Sequence, residues 1–114
     1  MELPDWIEGF PGSITVCDPN GMILYMNEHS LESFSAEGGS ALIGTNLLDC
    51  HPEPARSKLL DLLKNRQANV YTIEKKGAKK LIYQAPWFQD GKFAGLVELS
   101  LVIPFEMPHF IRQG

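Results

Sequence analysis

Long apolar runs, a cysteine framework and a one-sided charge balance are all missing from this 114-residue chain. Each absence removes a class of protein. No stretch approaches the roughly 20 apolar residues that a bilayer-spanning helix requires, so no membrane partner is expected. The opening residues, Met1-Glu2-Leu3-Pro4-Asp5, are acidic and lack the basic and apolar regions of a secretion signal. The two cysteines, Cys17 and Cys50, are too few for a disulfide scaffold. A reducing, cytoplasmic setting is the expectation. Ten basic against fourteen acidic residues leave a net charge of −4, which disfavours nucleic acid as a partner. The one group of cations (Lys75, Lys76, Lys79, Lys80) flanks Gly77 and reads as a solvated hairpin loop. Glycine-rich phosphate loops, nucleophile elbows and two-histidine zinc motifs are absent from the sequence. Cys50 and His51 are adjacent, and no second pair stands at zinc-ligand spacing. The carboxylates are dispersed over turns and helices, which argues against general acid–base catalysis.

What is present is a single domain's worth of alternating and helical patterns. Asp18-Pro19-Asn20-Gly21 is a tight turn: Pro19 fixes φ, and Asn20-Gly21 tolerate positive φ. β-prone residues 13–17 and 22–27 flank it. A short helical segment over residues 4–10 precedes the hairpin, with Trp6, Ile7 and Phe10 as its apolar face. Asn27 is placed to cap a helix over residues 28–35. Gly38-Gly39 and Gly44 break the chain, with one helical turn between them at residues 41–43. A longer helix opens at Glu53-Pro54, with Ala55, Leu59, Leu62 and Leu63 at helical spacing and Lys64 and Arg66 at its C-terminal end. Three strands follow, over residues 69–75, 80–88 and 92–103, with Asp90-Gly91 as a hairpin turn. The order β-β-α-α-α-β-β-β predicts an α+β fold: one five-stranded antiparallel sheet with helices packed on one face.

Three motifs resemble those of PAS domains. The first is Asp18-Pro19-Asn20-Gly21-Met22-Ile23 running on to Asn27. The second is Leu42-Ile43-Gly44 leading through Leu47-Leu48-Asp49 to Cys50-His51-Pro52. The third is Asp90-Gly91-Lys92-Phe93-Ala94-Gly95-Leu96-Val97-Glu98. The resemblance covers residues 12–103. It divides the chain into an N-terminal cap (1–11), a PAS domain (12–104) and a tail (105–114). Cys50-His51-Pro52 is similar to the subgroup named for a His-Pro-Pro motif, although Glu53 follows Pro52 here. Where effector-linked relatives often end in Asp-Ile-Thr, this chain reads Val102-Ile103-Pro104. The resemblance therefore implies either a stand-alone sensor or one piece of a longer protein, with its downstream effector outside this chain.

Strand alternation puts Val97, Leu99, Leu101 and Ile103 on one face, with Ile23, Tyr25 and Asn27 on one face of the second strand. In PAS domains the space between such faces and the helices holds a ligand. The resemblance implies pocket candidates Tyr25, Asn27, Leu48, His51, Leu59, Leu63, Tyr71, Tyr83 and Leu99, which simple core packing would equally explain. It also raises haem, with His51 as the iron ligand, although His-Pro at this place equally starts a helix. Flavin is disfavoured because Cys50 is followed by His51 and not by the Arg of flavin-binding relatives. An enzymatic alternative would need an acid–base pair in the pocket; only His51 with Asp49 offers one, adjacent in a turn, so the chain is read as non-enzymatic. Met22, Leu24, Met26, Leu96 and Val102 are expected on the opposite sheet face, where exposed apolar surface calls for a cover. Trp6, Ile7 and Phe10 could supply it, or a second copy in a two-fold homodimer. The expected function is sensory or regulatory, through a small ligand inside, a protein partner outside, or both. The alternative is an interaction module with no ligand.

Overall fold

The turn at residues 18–21 forms as its residues dictate. Asp18 Oδ1 accepts from the backbone N–H groups of Asn20 (2.9 Å) and Met22 (3.0 Å). Gly21 takes a φ of 90°, where a side chain would be strained. In this computed structural model, which describes residues 2–114, the turn joins strands β1 (Ser13–Cys17) and β2 (Ile23–Met26). A one-turn helix, α1 (Asp5–Glu8), comes before them, and α2 (Glu28–Ser33) comes after. Three short 3-10 turns span Ser35–Glu37, Gly39–Leu42 and Leu47–Cys50. The longest helix, α3 (Ala55–Asn65), ends where Arg66 adopts a left-handed conformation. Strands β3 (Asn69–Lys75), β4 (Ala78–Gln89) and β5 (Lys92–Ile103) complete the chain. They are joined by Lys76-Gly77 and Asp90-Gly91, each with two positive-φ residues, as two-residue hairpin loops require.

All five strands form one antiparallel sheet in the order β2-β1-β5-β4-β3. The expected α+β layer architecture is thus the observed one. The first hairpin docks beside the last strand: Ser13 pairs with Ser100, Thr15 with Glu98 and Cys17 with Leu96. Irregular chain seals the outer side of β2. The Ile23 N–H donates to the Thr45 carbonyl (2.9 Å), and the Gly44 N–H donates to Ile23 (2.8 Å). At the opposite end β3 has no such cover, and nearly all of its residues are exposed.

The helical spacing of Leu59, Leu62 and Leu63 gives α3 one apolar face, and that face is buried. It packs with Cys17 and Leu96, and Leu47, Leu48 and Phe93 pack against the cluster. Each buried leucine contributes about 1.5–3 kcal/mol, so this contact fixes α3 over the β1–β5 half of the sheet. Arg66 closes the helix with its guanidinium 4.8 Å above the Phe93 ring.

The faces of the sheet differ from the expectation. Thr15, Cys17, Gln84, Leu96 and Glu98 face the helices. Alternation then puts Val16, Val97, Leu99, Leu101 and Ile103 on the outer side. Polar residues are normally solvated, so Glu98 and Ser100 argued for an outward face; here that face is turned toward a lid and a cavity. Leu96 is therefore 4% exposed inside the fold, where an outer position was expected. Met26 is corrected in the same way, for a second reason. A bulge between Val16 and Cys17 pairs Val16 with Tyr25 and Cys17 with Ile23, leaving Leu24 unopposed. Ile23 and Met26, three residues apart, both turn inward. Val102 shares the inner face, beyond the reach of the helices, and is 63% exposed.

Candidate functional site

A chamber of about 190 Å³ lies between the inner face of the sheet and the helical layer. The sheet supplies its floor: Thr15 and Cys17 from β1, Gln84 from β4, Leu96 and Glu98 from β5. Ile23 and Met26 close one side. The segment after α2 contributes Phe34, Glu37 and Leu42, and the last 3-10 turn contributes Leu47, Cys50 and His51. Leu59 of α3 completes the lining.

A line of hydrogen bonds crosses the floor. Asn69 Nδ2 donates to Gln84 Oε1 (2.8 Å), and Gln84 Nε2 donates to Glu98 Oε2 (2.7 Å). The Thr15 and Ser30 hydroxyls pair at 2.6 Å, tying β1 to α2. Nearby, Ser13 Oγ sits 3.1 Å from His29 Nδ1 and 3.2 Å from Ser33 Oγ. His29 is accordingly half-buried.

Among the expected pocket residues, His51 and Leu59 line the chamber. Leu48 and Leu63 belong to the adjoining apolar cluster. Asn27 is fully buried, and its polar atoms are consumed by the fold. Its Oδ1 accepts from the Ile14 and Ser30 N–H groups, and its Nδ2 donates to the Ile7 and Gly12 carbonyls. Tyr71 shares the inner face with Ile82 but is 43% exposed, outside the lid. Its phenol is pushed above the usual tyrosine range by desolvation and then by the Glu98 carboxylate. Tyr25, Tyr83 and Leu99 lie on the outer face: Tyr25 is paired with Val16, and Tyr83 with Val70 on one side and Leu99 on the other. Of the remaining expected outer residues, Met22 bridges to Asn46. Leu24 lines a separate open groove with Trp87 and Phe93. Trp6 is exposed, Ile7 is half-buried, and Phe10 crowds Gly12 together with Leu101.

Sequence reasoning missed Thr15, Gln84 and Glu98 as lining residues. The usable signal was the coincidence of polar residues at alternate positions in two strands, Ser13/Thr15 and Glu98/Ser100, which register brings into one band with Gln84 of β4.

The imidazole of His51 is held by its own turn. Nδ1 lies 2.8 Å from the Leu47 carbonyl, which can only accept, so Nδ1 carries the hydrogen and Nε2 is left as the coordinating or accepting nitrogen. A chamber of about 190 Å³ is nevertheless below the roughly 300–1,000 Å³ of sites for drug-sized ligands, and near the roughly 150 Å³ cavity that takes a benzene. The arrangement does not fit a haem or a flavin. No cluster of three or more metal-ligating side chains occurs among the described residues.

The two thiols sit in opposite environments. Cys17 is buried, and its thiol is pushed up chiefly by desolvation, with the Asp18 and Glu98 carboxylates adding and a backbone hydrogen bond from Leu96 opposing. Cys50 is exposed at the chamber's rim. Iodoacetamide is therefore expected to alkylate Cys50 at least about 100 times faster than Cys17, read by peptide mass. Comparable rates would mean that α3 does not stay closed over β1.

No family model matches the chain, and no curated protein does. Solved structures do. A sensory box histidine kinase from Vibrio cholerae superposes with a TM-score of 0.64 at 16% identity, covering 89% of each chain. The PAS domain of Bordetella pertussis BvgS gives 0.59 at 19%, covering 86% of this chain and 81% of that one. The Vibrio cholerae Aer2 receptor, described as a dual PAS-haem oxygen sensor, gives 0.60 at 17%, covering 82% and 95%. The fold is the PAS fold, as the three motifs implied. No helix among the described residues is long and apolar enough to cross a membrane.

Proposed function

We propose that this chain is a sensory or regulatory domain, residues 12–104, with residues 1–11 as a cap and 105–114 as a tail. It binds a small molecule in the chamber and pairs with a second copy through the outer face of its sheet. The observation that supports both parts is the inverted polarity of the sheet. Its inner face carries Thr15, Gln84 and Glu98 around a cavity, while its outer face carries Val97, Leu99, Leu101 and Ile103. A polar band beside the apolar cluster is poor core but a good ligand floor, and an apolar outer face is costly in water at about 25 cal/mol per Å². Tyr83 at 40% and Val70 at 50% exposure extend the apolar surface toward β3. A ligand that prefers one setting of the helical layer on the sheet would shift the population of the paired state, and so signal. Two unpaired thiols suit a reducing, cytoplasmic setting.

Sedimentation at micromolar protein is expected to show a dimer, and Leu99→Glu is expected to reduce it to a folded monomer. A monomer at every concentration, with Leu99→Glu unchanged, would leave the outer face without this role. The ligand half is read separately by native mass spectrometry, as mass retained on the folded chain.

A further inference from the structure

We propose that the chamber selects a small organic cation of about single-ring size, whose protonated amine pairs with the Glu98 carboxylate. The proposal rests on the reading that the chamber is a ligand site, and it specifies the ligand's charge and size.

Glu98 stands on the floor of a cavity whose apolar lining includes Cys17, Met26, Leu59 and Leu96. Its carboxylate is oriented by others. Asn69 Nδ2 donates to Gln84 Oε1, which leaves the Gln84 amide nitrogen for Glu98. Gln84 Nε2 is thereby turned to donate to Glu98 Oε2. The donating amide orients the carboxylate as an acceptor on the chamber floor. No lysine or arginine lines the chamber, and the single ion pair among the described residues joins Arg56 to Asp49, elsewhere. A second carboxylate, Glu37, lies at the chamber wall, and the one basic side chain in the lining is His51. The negative potential of the chamber is thus left for a ligand to neutralise. The volume of about 190 Å³ admits one ring with a short arm. The Glu98 charge is felt at both Cys17 and Tyr71, on either side of it along the floor.

Three probes of one shape separate charge from size: benzylamine, benzyl alcohol and benzoate, titrated into the full chain and followed by amide shifts in nitrogen-15 correlation spectra. Benzylamine is expected to shift the amides of Thr15, Cys17, Gln84 and Leu96. It should bind about ten-fold more tightly than benzyl alcohol, with benzoate weakest, since a charge-assisted hydrogen bond adds at least that factor. Glu98→Gln is expected to weaken benzylamine about ten-fold and so abolish its preference over benzyl alcohol. In the unaltered protein, an intermolecular NOE from the benzylamine methylene to the Glu98 side chain gives the same answer without relying on the variant. Equal binding of all three probes, or a preference that survives Glu98→Gln, overturns the cation proposal and leaves the ligand site standing. Binding of none of them overturns both.

Discussion

Gly95→Ala is expected to leave the chain largely unfolded at 37 °C. A Cβ on residue 95 would lie 1.8 Å from the Cys17 carbonyl oxygen and under 3 Å from two further backbone carbons of Cys17 and Asp18. Nothing in that contact is flexible, because each atom it meets belongs to the main chain. The residue also has a φ of 135°, a conformation that side chains resist. The same carbonyl accepts from the Trp87 indole at 3.1 Å, so it cannot withdraw without breaking a bond between β1 and β4. The loss should be at least about 4 kcal/mol, in the range reserved for backbone clashes and buried strain. Gly91→Ala is the matched control: its φ is also positive, at 77°, but no atom lies within 4 Å. It should cost only about 1 kcal/mol. Urea midpoints measured side by side decide the matter. Near-equal losses for the two variants would mean that β1 does not approach β5 as closely as described.

The second large effect is at Asn27. This side chain makes four hydrogen bonds to four different stretches of backbone: Ile7, Gly12, Ile14 and Ser30. It caps α2, completes the β1 ladder where that strand begins, and ties α1 to the domain. Asn27→Ala removes all of these. Loss of the cap costs about 1–2 kcal/mol, and the buried N–H and carbonyl groups left unpaired add about 1–3 kcal/mol. A combined loss of about 3–4 kcal/mol corresponds to a fall in Tm of about 10–20 °C. Asn27→Asp separates the roles. Its oxygen still caps α2 and accepts from Ile14, but it loses the donor to Ile7 and Gly12. Hydrogen exchange should then accelerate in residues 5–12 while α2 stays protected. Uniform acceleration across α1 and α2 would refute that division of labour.

Asn27 also marks how far the sequence could be followed. Its position before a helix made it legible as a cap, and strand parity suggested a pocket residue. The first is what the structure shows; the second fails because no polar atom is left over. Strand and helix limits were legible because turn chemistry is local: Asn20-Gly21, Asp90-Gly91 and the leucines of α3 announce themselves. The facing of the sheet was not. It depends on the bulge at Val16–Cys17, which no residue type signals. It depends also on Glu98 being useful inside, which runs against the ordinary rule that charges face water. Leu99 and Leu96 therefore exchanged places between expectation and structure, and the three polar floor residues escaped notice. His51 and Leu59 were found because they come from the lid, where helical spacing and the His-Pro motif apply without any question of parity.

The seal along β2 sets a limit on how such molecules can stack. Residues 44–45 occupy the hydrogen-bonding side of that strand, so among the described residues the exposed β3 is the end of the sheet open to another strand. Two molecules joined there would use up the available ends of both. A crowded or partly damaged population can form closed couples by this route, but not the endless ribbons that a sheet bare at both margins would permit.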